Sequence, residues 1–139
     1  MVAKTKAASP LADDQPAATA NPHRGECAVM LAGTRYVLRP DFEAISAIDA
    51  ELGGILALAR RGMNDPGDLT LHELAVIVAE GIKASGRAAR TNDAHVKTDK
   101  IKRLIFETGI PAVVPGVVRF LVASVTGGSK AEPGEAGND

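Results

Sequence analysis

The chain has 139 residues, the size of one domain, and its formal net charge of -1 with 24% charged residues lacks the basic excess of a dedicated nucleic-acid binder. No Trp, one Tyr and three Phe leave few rings to stack on bases or sugars, so an aliphatic core is expected. A single cysteine, Cys27, excludes an internal disulfide and fits a reducing, cytoplasmic compartment.

The first 22 residues are rich in Ala, Pro and Asp without apolar periodicity. Lys4 and Lys6 are followed by Pro10, Asp13, Asp14 and Pro16 rather than by the apolar run of a signal peptide. Composition therefore divides the chain into a disordered segment over 1–22, a single α+β domain over 23–126 and a disordered tail over 127–139. The domain opens with two β-compatible stretches, residues 26–31 and 35–39, flanking Ala32-Gly33-Thr34, where Gly33 can take the positive φ of a tight hairpin.

After Pro40 the apolar period changes from two to about 3.6. Phe42, Ile45, Ile48 and Leu52 form one helical stripe, Asp41 and Glu43 suit its first turn, and Gly53 suits its C-terminal cap. A short second helix is expected over 54–61, with Gly62 as its stop, followed by a loop through Asn64-Asp65-Pro66-Gly67. Thr70 and Glu73 make a capping box, with Leu69 and Leu74 at the hydrophobic-staple positions. The helix that starts there carries an inward stripe of Leu71, Leu74, Ala75, Val78 and Ile82, and Gly86 closes it before a polar connector over 87–92.

A further helix is expected over 93–108, with its stripe at Ile101, Leu104 and Ile105 and its stop at Gly109. The last segment, 110–126, contains Pro115, which either kinks a helix or starts one, with a Val-rich strand as the competing form. It is shorter than the roughly 20 apolar residues of a membrane span and contains Arg119. The fold class that follows is α+β, mostly α: an N-terminal β-hairpin followed by four or five helices in a small bundle.

Catalytic and metal chemistry find no convergent set. His23, His72 and His95 are far apart, Cys27 sits in an alternating strand, and no phosphate loop, paired-carboxylate motif or nucleophile elbow occurs. No enzyme activity, metal or cofactor is expected, so function falls to binding. Lys83, Arg87, Arg90, Lys97, Lys100, Lys102 and Arg103 concentrate positive charge in mid-chain, but Asp93 and Asp99 dilute it and no stacking aromatics accompany it, so a solvated surface is the better reading. If residues 94–108 are one helix, Phe106 falls opposite the apolar stripe, among His95, Asp99, Lys102 and Arg103. If the last segment is helical, Val113, Val117, Phe120 and Leu121 share a face that Val118 and Val122 widen beyond one core contact. Phe106, Val118 and Val122 are therefore the candidate partner-binding residues.

Asn21-Pro22-His23-Arg24-Gly25-Glu26 and the strand pair after it resemble the start of gene transfer agent family proteins of the phage tail assembly chaperone type. The resemblance continues through residues 42–53, through Asp68-Leu69-Thr70-Leu71-His72-Glu73-Leu74 to Gly86, and through Glu107-Thr108-Gly109 to Val125. It departs at Pro115, in a helix that is usually alanine-rich, and at the basic residues 97–103. What it implies is a non-enzymatic factor, cytoplasmic in a bacterial producing cell, that keeps the long tape measure protein soluble and recruits tail tube protein. The same family also carries the label of a tail tube protein, a role that needs far more β structure than one hairpin. A structural tube component and a small nucleic-acid-binding regulator are the alternatives, no membrane partner is expected, and a homo-oligomer is left open.

Overall fold

The computed structural model describes residues 20–127; the expectations for 1–19 and 128–139 lie outside the described residues. Strands β1 (Cys27–Leu31) and β2 (Thr34–Leu38) pair antiparallel, Cys27 opposite Leu38 and Leu31 opposite Thr34. Ala32 and Gly33 both carry positive φ, 49° and 84°, as the twist of a two-residue hairpin requires. Thr108 ties this turn down, its hydroxyl accepting from the Ala32 N–H and donating to the Leu104 carbonyl, each at 2.7 Å.

Five α-helices follow: α1 (Phe42–Leu52), α2 (Ile55–Asn64), α3 (Leu71–Ala89), α4 (Thr98–Thr108) and α5 (Ile110–Val125). This is the expected α+β, mostly α architecture. Asp41 is the N-cap of α1 rather than a first-turn residue, its carboxylate accepting from the Ala44 N–H at 2.8 Å. Gly53 closes α1 in the left-handed region, and Asp49, still on α1, accepts from the Ile55 N–H and so caps α2. Thr70 and Glu73 form the reciprocal capping box of α3.

Helix α3 is the axis of the fold and touches β2, α1, α4 and α5. Its buried surface is wider than the stripe read from the sequence: Leu74 to Ala79 are buried without interruption, because neighbours cover α3 on several sides. The core adds Leu31 and Leu38 from the hairpin, Ile48, Leu58, Ile101 and Ile105 from the smaller helices, and Phe120 and Leu121 from α5.

The hairpin is held between two glycines. A Cβ on Gly81 of α3 would lie 2.9 Å from the Leu38 Cβ, and the Gly81 carbonyl accepts from the Arg39 N–H. On the other side, a Cβ on Gly116 of α5 would lie 2.6 Å from a Val29 methyl.

Several expected boundaries move. Gly62 is not a stop: α2 runs to Asn64 and buries Gly62 against Val118 and Leu121 of α5. Gly86 does not end α3, which continues to Ala89 and terminates at Arg90 in the left-handed conformation. Gly86 instead lets the backbone of Asp93 and Ala94 pass close. The helix expected over 93–108 is broken, with a 3₁₀ turn at Asn92–His95 and α4 beginning only at Thr98. Phe42, placed in the inward stripe of α1, is 87% exposed, because it occupies the first helical position and overhangs the core that Ala44 and Ile48 reach. The last segment is one helix through Pro115, with Pro111 in its first turn and Gly109 the single residue separating it from α4.

Candidate functional site

The opening motif is a structural knot. Asn21 caps a 3₁₀ turn at Pro22–Arg24, Gly25 takes φ 74°, and the chain turns Glu26 inward. The buried Glu26 carboxylate accepts from the Asn21 N–H at 2.8 Å, from Arg24 Nε at 3.1 Å and from Arg39 Nη1 at 3.1 Å. These partners consume the charge of Glu26, so the motif fixes the N-terminal edge of the hairpin to its far strand.

Beside this knot lies a cleft of about 770 Å³ whose lining includes Pro22, Cys27, Arg35, Val118, Arg119 and Val122. Val118 and Val122 are half-buried: they sit on the flank of α5 while Val117, Phe120 and Leu121 fill the core. Burial pushes the Cys27 thiol above its ordinary range, Arg119 opposes that shift and Glu26 adds to it. The thiol is therefore held protonated, which disfavours nucleophilic chemistry.

Phe106 lies elsewhere. It is 71% exposed on the outer face of α4, where Asp99, Lys102, Arg103 and Phe106 follow the i, i+3, i+4, i+7 spacing of one stripe. With Leu71 of α3 these residues bound a shallow depression of about 450 Å³. His95 belongs to the 3₁₀ turn before α4 and is not among the residues that bound it. The three candidate partner-binding residues thus divide between two concavities, Val118 and Val122 in one and Phe106 in the other.

The basic run is also divided. Lys83 pairs with Glu80, and Arg87 pairs with Asp41 and Glu43 at the start of α1. Lys97, Lys100, Lys102 and Arg103 belong to α4 and its cap, and among the described residues none of them has a carboxylate within ion-pair distance. His72 lies 3.5 Å from Glu51, and among the described residues no group of three or more His, Cys, Asp or Glu side chains could hold a metal ion. Among the described residues, no helix is long and apolar enough to cross a membrane.

Helical projection missed further apolar surface: besides Phe42, Met30, Leu56 and Met63 are each about half exposed. Leu56 and Met63 are seven residues apart on α2 and share a face, a spacing visible in the sequence once the helix is extended to Asn64.

A family model matches this mostly helical chain from Arg24, inside the knot, through the last helix. The model, described as phage tail tube protein, GTA-gp10, covers residues 24–125. The chain belongs to that family. The match spans every helix and the hairpin, so this phage tail tube protein, GTA-gp10 family accounts for nearly all the described residues. No curated protein and no solved structure matches the chain.

Proposed function

We propose that this gene transfer agent tail family protein is a tail assembly chaperone, a non-enzymatic factor that binds the tape measure protein in the producing cell's cytoplasm and helps recruit tail tube subunits. The observation that supports this reading is the ratio of elements: one two-stranded sheet against five helices. A tube wall needs sheets that close into rings and stack, whereas a helical module with exposed side chains such as Phe106 suits reversible contact with a long helical partner. Val118 and Val122 supply a second contact at their cleft. A structural tube component is the second reading, favoured by the family's own description.

Quantitative mass spectrometry of purified particles separates the two. A chaperone co-purifies with the tape measure protein from producing cells and is scarce in finished particles. A copy number matching the tube protein would overturn the chaperone reading in favour of the tube component.

A further inference from the structure

Two helices on different sides of α3 present complementary outer faces. Helix α1 carries Glu43, Asp49 and Glu51 and no Lys or Arg, with Phe42 exposed at its start. Helix α4 carries Lys100, Lys102 and Arg103 with Lys97 at its cap, against Asp99 and Glu107 alone, and it exposes Phe106. Each face therefore offers one ring beside charges whose net sign is acidic on α1 and basic on α4.

Both helices pack against α3 within the chain. Glu43 remains 73% exposed despite its contact with Arg87, and Glu51 is 54% exposed despite its contact with His72, so their charge is available outward. We infer that the acidic α1 face of one copy docks on the basic α4 face of a second copy, setting Phe42 against the Phe106 surface in a head-to-tail self-association. Because the two faces differ, a pair of copies keeps one face of each kind unused, and addition continues until a ring closes or an open chain forms. Opposed charges steer the encounter and fix orientation, while the two rings supply the apolar contact that charge alone lacks in water. A nucleic-acid occupant of α4 fits less well, since the helix carries a single aromatic ring, Phe106, where a strand's successive bases would need several to stack on.

Light scattering coupled to size exclusion, across protein concentration and salt, tests this on the full chain. Wild type is expected to gain mass with concentration and to lose it as salt rises. The double variants Lys102→Glu/Arg103→Glu and Glu43→Lys/Glu51→Lys should each be monomeric. Mixed, they should regain mass together, because the acidic α1 face of the first meets the basic α4 face of the second and the two reversed faces are complementary as well. Phe106→Ala, an exposed change that leaves the fold intact, should weaken association about tenfold or more.

A monomeric wild type at every concentration, or a mixture that stays monomeric, overturns the inference. So does salt-sensitive capture of duplex DNA by the α4 face without self-association. Continued co-purification of such a monomer with the tape measure protein would leave the chaperone role standing.

Discussion

Arg61 on α2 grips Glu73 on α3 with two parallel bonds, Nη1 to Oε2 at 2.8 Å and Nη2 to Oε1 at 2.9 Å, while its Nε reaches Asp68 at 3.0 Å. Glu73 also accepts from the Thr70 N–H, so one carboxylate closes the capping box of the central helix and anchors the preceding helix to it. The Arg61 guanidinium, and next to it the capping bond, hold the Glu73 carboxyl below its usual range against the opposing effect of desolvation. Thr70→Ala removes the other half of the box and should lower stability by about 1 kcal/mol, or about 4–8 °C in Tm for a domain of this size. Thermal unfolding by circular dichroism reads the shift.

The same depressed carboxyl sets a pH dependence. A group whose folded pKa lies below its unfolded value contributes stability that is fully present above the unfolded value, about 4.3 for Glu, and is lost as pH falls through the folded one. Glu73→Gln cannot hold the ion pair at any pH. The advantage of wild type over Glu73→Gln in urea unfolding should therefore be constant from neutral pH down to about 4.3 and shrink below it. A gap independent of pH through that acid range would mean that the pairing with Arg61 does not set the Glu73 titration.

Two helical glycines should respond to alanine with opposite signs. In α3, Gly81→Ala would place a methyl 2.9 Å from the Leu38 Cβ and 3.2 Å from its Cα, so the strand itself must move. The strain should outweigh the roughly 1 kcal/mol of helix propensity gained, giving a net loss of about 1–2 kcal/mol. In α2, a methyl on Gly62 meets Val118 and Leu121 at 3.4 and 3.5 Å, near ordinary contact, and Gly62→Ala should stabilise by about 0.5–1 kcal/mol. Denaturant midpoints of the two variants against wild type check both signs.

These glycines also show where sequence reasoning stops. The Thr70–Glu73 box, the Gly33 turn and the Gly53 cap were legible because each is decided within a few residues. Gly62 and Gly86 look like helix stops locally, but each lies where another segment presses against the helix, and that segment is distant or folds back unpredictably in sequence. The exposed face of Phe106 could be projected from spacing alone, whereas the exposure of Phe42 depends on how far the core extends past the end of α1. The role of Asn21-Pro22-His23-Arg24-Gly25-Glu26 as a charge knot was hidden for the same reason: Arg39, the partner of Glu26 across the hairpin, lies 13 residues away.

That knot carries its own prediction. Glu26→Ala would leave Arg39 and the Asn21 N–H without their shared acceptor, a loss of about 1–3 kcal/mol for groups hydrogen-bonded to a buried charge. Hydrogen exchange should speed up first at Asn21 and at Arg24 to Cys27, while the α3 amides keep their protection until global unfolding. Equal acceleration throughout α3 would show that the knot supports the whole fold and not its edge.

Cys27 offers a direct readout of the cleft beside that knot. It lines that cleft together with Val118 and Val122, and burial keeps its thiol protonated, so alkylation by a maleimide should be slow at neutral pH and accelerate as pH rises. If the tape measure protein uses the Val118 and Val122 surface, the complex should modify more slowly than the free chain. Val122→Asp, which puts an unpaired charge on the contact, should abolish both the protection and part of the binding. Phe106→Ala, in the other concavity, should weaken binding without changing the modification rate of whatever complex remains. An unchanged Cys27 rate in the wild-type complex would remove Val118 and Val122 from the interface and leave the contact to the outer face of α4.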